Sequence, residues 1–144
     1  MKYLTDYTEA RLTALYTETG AFYAFSTKQF EEQKKEGVKY MSLGGGTICP
    51  EATAERLVAG TESLLADGIA ADLAENGKAA IINRELANHE YTYTCDITDT
   101  VSALGGYGIT EEEVQAETAE HLRKHYAWEE EQERKEAARE KATA

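Results

Sequence analysis

A helix-rich α+β fold is predicted for this chain, with about five helices around a small antiparallel sheet of about three strands and a long charged helix at the C-terminus. Three observations predict it. Most of the chain places apolar residues at helical spacing, with glycines where helices should stop. Three short runs, "AFYAF", "VKYMSL" and "EYTYTC", instead gather aromatic and β-branched residues. After Trp128, "EEEQERKEAAREKATA" has no apolar stripe at all.

The first helix is expected over residues 5–18, where Leu4, Tyr7, Leu12, Leu15 and Tyr16 make a broad apolar stripe, and Gly20 ends it in a left-handed conformation. "AFYAF" follows as a short buried strand. Ser26 N-caps the next helix, "TKQFEEQKKEG", which stops at Gly37. "VKYMSL" is a second strand, and "GGGTICPEA" is read as a loop leading into a helix with Pro50 in its first turn. That helix runs to about Asn76, where Gly77 stops it. Gly60 and Gly68 inside it cost roughly 1 kcal/mol each relative to alanine. Leu57, Val58, Leu64, Leu65, Ile69 and Leu73 are expected to give this helix one continuous apolar side, and close packing at Gly68, near that side, to offset part of the cost.

A further helix is expected over residues 78–88. "EYTYTC" is then read as the third strand, with Tyr91, Tyr93 and Cys95 on one face and Thr92 and Thr94 on the other. Asp96 and Thr98 start a short helical turn, and "GYGIT" is a loop. Thr110 and Glu113 form a capping box for the last helix, expected to reach about Ala138. Its first half is amphipathic through Val114, Leu122, Tyr126 and Trp128. The sequence therefore reads as one globular domain over residues 1–128 and a charged helical tail over 129–144, projecting or partly frayed.

Composition bounds the function. At 144 residues the chain has the size of one ordinary domain, and no apolar run approaches the roughly 18 residues of a membrane span. The polar, helix-like start "MKYLTDYTEARL" does not resemble a signal peptide, so a cytoplasmic location is expected. Two cysteines without a CxxC spacing imply free thiols rather than a disulfide framework or zinc ribbon. Fifteen Lys and Arg stand against 27 Asp and Glu, a net charge of −12. Residues 1–50 balance six of each sign, whereas residues 51–110 carry −7 and residues 111–144 carry −5. Such a field repels nucleic acid and anionic membranes and attracts basic protein surfaces.

Reactive side chains are densest in "RELANHEYTYTCDIT", where a Cys–His site would need His89 and Cys95 to meet across a helix-to-strand junction. The simpler reading puts His89 at a helix C-terminus, where a cation favours the dipole, and Cys95 in the core beside Tyr91 and Tyr93. His121 and His125, four apart with Glu117 one turn earlier, have metal-binding spacing, but "LRK" between them lacks the HExxH glutamate and no third ligand is identifiable. "GGG" at residues 44–46 suggests a phosphate-cradling loop without its GK[ST] ending, so a turn is expected there. The aromatics of "GAFYAF" and "EYTYT" have no basic residues between them, which favours a core role over base stacking.

Three stretches taken together, "GAFYAFSTKQFEE", "VKYMSLGGGTICPEA" and "RELANHEYTYTCDITDTVSALGGYGIT", resemble a group of small uncharacterised proteins carried by phages and other mobile elements of gut-type bacteria. The resemblance spans roughly residues 15 to 115. It implies a cytoplasmic accessory protein rather than a metabolic enzyme, and carries over no catalytic or binding residue. Inhibitors of CRISPR effectors are found among such proteins, and a basic groove shaped for phosphate is complementary to a carboxylate-rich surface. The expected function is thus a non-enzymatic acidic binding protein without a cofactor, whose partner is a protein with a basic nucleic-acid-binding surface. The expected contacts are Glu51, Glu55, Glu85, Glu90, Asp96, Asp99, Glu111 and Glu112. The alternative is a small enzyme or metal protein using Cys95, His89 or the His121/His125 pair.

Overall fold

The computed structural model describes residues 1–144, which form seven α-helices, two 3-10 turns and a three-stranded antiparallel sheet. The fold is helix-rich α+β with a long C-terminal helix, the class the sequence predicts. The chain divides into two compact units, Met1–Asp72 and Leu73–Ala144. No composition break marks the division, which falls inside one continuous helix.

In the first unit, α1 (Leu4–Thr19) starts where the Asp6 carboxylate accepts the Tyr3 backbone N–H at 2.7 Å and ends at Gly20, whose φ of 78° is left-handed. Strand β1 (Phe22–Tyr23) is shorter than "AFYAF" suggests and only half-buried, and Phe25 beyond it is exposed. Helix α2 (Thr27–Gln33) opens with the Ser26 hydroxyl accepting the Gln29 N–H at 3.2 Å, as its sequence predicts, but ends a turn before Gly37. Strand β2 (Tyr40–Gly44) pairs with β3 (Thr47–Pro50), and β3 also pairs with β1, so the sheet order is β1-β3-β2.

The central strand β3 is thus "TICP", a stretch the sequence reading placed in a loop. Gly45 and Gly46 explain the difference. Their φ values of 59° and 81° make a two-residue hairpin turn, which returns the chain directly onto β2. Pro50 closes the strand opposite Tyr40 rather than opening a helix. A 3-10 turn at Glu51–Thr53 then leads into α3 (Ala54–Asn76). Cys49, Ala54 and Leu57 are buried together here, with Leu15, Tyr16 and Leu43 packed against them. A Cβ on Gly68 would lie 2.5 Å from Thr8 Cγ2, so α1 approaches α3 more closely than any side chain at that position would allow.

The second unit begins with the last residues of α3, which Gly77 terminates at φ 78°. Helix α4 (Lys78–Asn88) has the bounds the sequence predicts. The next segment differs. "YTYT" is not a strand but a single helical turn, α5 (Tyr91–Thr94), held between Glu90 and Cys95, which both have left-handed backbones at φ 54° and 53°. The intrinsic strand preference of Tyr and Thr yields to tertiary packing, because Tyr91 is buried in the core of this unit while Tyr93 is exposed.

Helix α6 (Thr98–Leu104) is opened by Asp96, whose Oδ1 accepts the Thr98 N–H at 2.8 Å and its hydroxyl at 2.6 Å. After a 3-10 turn at Gly105–Tyr107 comes α7 (Glu111–Thr143). The predicted capping box is present, with Thr110 Oγ1 accepting the Glu113 N–H at 3.2 Å and the Glu113 carboxylate accepting the Thr110 N–H at 2.9 Å. Ile81, Ile82, Leu86, Leu104 and Val114 fill the core between α4, α6 and the start of α7. From residue 129 onward α7 remains helical to Thr143 and has no buried residue. No helix is long and apolar enough to cross a membrane.

Candidate functional site

The segment from Arg84 to Thr98 is a helix-to-helix junction. Arg84 on α4 is buried and its Nε donates to Glu85 Oε1 at 3.1 Å, while Nη2 donates to the Tyr107 hydroxyl at 3.5 Å. His89 caps the end of α4, as expected, and its Nε2 lies 3.6 Å from Glu85 Oε2. Cys95 corrects the sequence expectation. It is exposed rather than in the core, because the left-handed turn at the end of α5 turns it away from Tyr91. His89 therefore pairs with Glu85, and no hydrogen bond joins it to Cys95.

The exposed and buried thiols give a direct check. A thiol reagent applied to the native protein is expected to label Cys95 rapidly and to reach Cys49 only on unfolding, so mass spectrometry should show one equivalent before denaturant and two after. Equal labelling of both under native conditions would contradict the burial of Cys49.

The two histidines of α7 share a helix face but take separate partners. His121 Nδ1 lies 3.1 Å from Asn83 Oδ1, and burial, followed by the nearby His125 and Lys124, holds its pKa below the ordinary imidazole value. His125 Nε2 lies 3.0 Å from Glu129 Oε1, and its ring stacks on Trp128 with the edges of Tyr93 and Tyr126 close by. No group of three or more His, Cys, Asp and Glu side chains is placed to hold a metal ion. Of the "GGG" stretch, Gly44 ends β2, and Gly45 and Gly46 make the hairpin turn to β3.

The carboxylates chosen from the sequence fall on both units. Glu51 lies in the 3-10 turn before α3 and Glu55 in the first turn of α3; Glu85, Glu90, Asp96, Asp99, Glu111 and Glu112 belong to the second unit. Glu85 is engaged by Arg84 and half-buried, so it is poorly placed to receive a partner. The other seven are exposed and take no salt bridge. Asp96 is held below its ordinary pKa by the Thr98 hydroxyl and backbone N–H. Glu111 and Glu112 sit in the first turn of α7, where the helix dipole favours negative charge.

Further along α7 some acids are paired within the helix, while Glu130, Glu133, Glu136 and Glu140 take no salt bridge. Arg123 donates to Glu120 at 2.6 and 2.7 Å and lowers its carboxyl to about 2, and Lys135 lies 2.7 Å from Glu131.

A site the sequence reading missed lies in the first unit. One side of α3 and the Met41 and Leu43 side chains of β2 enclose an open groove of about 480 Å³, floored by Ala54 and Val58 and rimmed by Glu51, Glu55 and Glu62. The signal was present in the spacing. Val58 and Leu65 are seven residues apart and both exposed, and Glu55 and Glu62 are also seven apart.

A model of a family of unknown function, DUF7659, matches residues 4–138. No curated protein and no solved structure matches the chain. The family match takes in both compact units and most of α7, and the chain belongs to the DUF7659 family.

Proposed function

We propose that this protein is a non-enzymatic binding module for a protein with a basic surface, and that its target is a bacterial defence effector of the CRISPR type whose nucleic-acid groove it blocks. The observation that carries this reading is a group of seven exposed carboxylates that take no cation within the chain, from Glu51 in the 3-10 turn and Glu55 on α3 to Glu111 and Glu112 on α7. The field of the whole chain supports it. The first unit carries a net −4 and the second a net −8. Nucleic acid itself is repelled by that field, whereas a protein surface built to hold phosphate is attracted. The sequence resemblance to small proteins of mobile elements supports the defence-effector target.

Affinity capture of the tagged protein from a bacterial host, at low and moderate salt, tests this. A basic nucleic-acid-handling protein should be recovered at low salt and diminish at moderate salt, because screening weakens contacts between exposed charges. Recovery of no such partner, or of one that salt leaves untouched, would overturn charge-driven binding.

A further inference from the structure

We propose that the outer face of α3 in the first unit is a docking seam for a basic amphipathic helix of a partner protein; this deepens the binding reading above by naming the surface and the kind of segment it receives. Three observations converge on this face. The first is apolar exposure. Val58 is 46% exposed, Leu65 39% and Met41 40%, although each is a large hydrophobic residue in or beside a regular element. Leu57 and Leu64, the residues just before Val58 and Leu65, are buried, so α3 has one face in its own core and a second apolar stripe outside it. A helix needs only one such face to fold.

The second observation is spacing. Val58 and Leu65 repeat at seven residues, with the half-buried Thr61 at the intervening position of the same seam. This is the interval at which a second helix packs along the first with knobs in holes. The groove of about 480 Å³ beside Val58 widens the seam toward Met41 and Leu43, giving a first anchor residue of the incoming helix a pocket to fill.

The third observation is charge, and it selects the occupant. Glu51, Glu55 and Glu62 flank the apolar stripe and take no salt bridge. Nearby acids of the same unit are already engaged: Asp67 by Arg11 at 2.8 Å and Glu18 by Arg56 at 2.9 Å. Glu55 and Glu62 occupy the flanking position of two successive heptads, where the partner's facing charges set pairing. A second copy of this chain would bring its own glutamates against them and be repelled. Lysine or arginine at the matching positions of another protein's helix would be attracted, and its leucines would cover Val58 and Leu65.

The test uses the full chain and a synthetic helical peptide of about three heptads, with leucine at the seam positions and lysine at the flanking ones. A second peptide carries glutamate in place of every lysine. The lysine peptide should bind saturably, shift backbone amide signals from Glu51 through α3 as far as Leu65, and outcompete the glutamate peptide. The double variant Glu55→Lys/Glu62→Lys should weaken it by about tenfold or more, since two attractions become repulsions. Glu133→Lys/Glu136→Lys makes the same change in net charge on α7, at exposed acids outside the proposed contacts, and should weaken it by no more than about threefold.

Val58→Ser/Leu65→Ser leaves the charge unchanged and should also weaken binding by about tenfold, as two apolar contacts are lost. Circular dichroism establishes that each variant is folded, and the amide shifts of the unaltered protein give a readout independent of any variant. Equal weakening by the α3 and α7 charge variants, amide shifts that avoid α3, or no binding of the lysine peptide would each overturn the seam. The peptide assay decides the seam whether or not a host partner is captured. A captured basic partner that Glu55→Lys/Glu62→Lys retains at full yield would overturn the seam and leave the binding reading standing.

Discussion

Replacing Arg84 by alanine is expected to destabilise the second unit by about 3–5 kcal/mol, the range for removing one partner of a buried ion pair. The Arg84 side chain is only 5% exposed and its Nε donates to Glu85 Oε1 at 3.1 Å. Glu85 is the more accessible partner at 16% and retains His89 at 3.6 Å, which places the expected loss toward the lower end of that range. The substitution also empties the space of the long aliphatic stem, so part of the loss is packing rather than charge. Arg84→Lys keeps the charge but loses the planar fork that reaches both Glu85 and the Tyr107 hydroxyl, and should lie between wild type and alanine. Urea unfolding followed by circular dichroism measures both. A loss below about 1 kcal/mol for the alanine variant would mean that water replaces the guanidinium without penalty.

Truncating Leu86 should have an effect of similar size through a different cause. Leu86 is fully buried on α4, surrounded by Ile81, Ile82, Leu104 and Val114. Leu86→Ala removes apolar contact and leaves a cavity that two helices and a buried valine cannot readily collapse, at a cost of about 2–5 kcal/mol. Leu65→Ala on α3 is the comparison, since Leu65 is exposed and its loss should cost under about 1 kcal/mol. Native-state amide exchange adds a spatial readout. The Leu86 variant should accelerate exchange in α4 and α6, where its neighbours lie. If exchange accelerated only in α1 and the sheet, the core assignment of the second unit would be wrong.

The helices were legible because their ends carry chemistry as well as periodicity. Gly20 and Gly77 stop helices at positive φ, Ser26 and Thr110 cap them, and α4 was bounded to the residue by Gly77 and His89. The sheet was half legible. "AFYAF" and "VKYMSL" contain strands, but the central one is hidden in "TICP", because the glycines before it read as a turn and the proline after it as a helix start. Pairing, rather than residue preference, makes that segment a strand, and pairing is not local to the sequence. The reverse holds for "EYTYTC". Its alternation of Tyr and Thr has strand character, yet one buried ring, Tyr91, fixes a helical turn and leaves Tyr93 and Cys95 in solvent.

For the candidate site, the sequence picks out eight acids, of which all but one are exposed and take no salt bridge. It did not distinguish Glu85, whose partner is the adjacent Arg84. It also passed over the second apolar stripe of α3, because burial and exposure of neighbouring leucines look alike in composition. Only the fold separates Leu64 from Leu65.

The single tryptophan of the chain, Trp128, lies at the point where α7 leaves the core of the second unit, with its ring stacked on His125. Nothing in the first unit emits at its wavelength. Tryptophan fluorescence is therefore a label for one unit alone, already built in, while the helical signal in circular dichroism sums over both. Melting curves from the two methods that coincide would mean the units unfold as one cooperative body, and curves that separate would give the order in which they come apart.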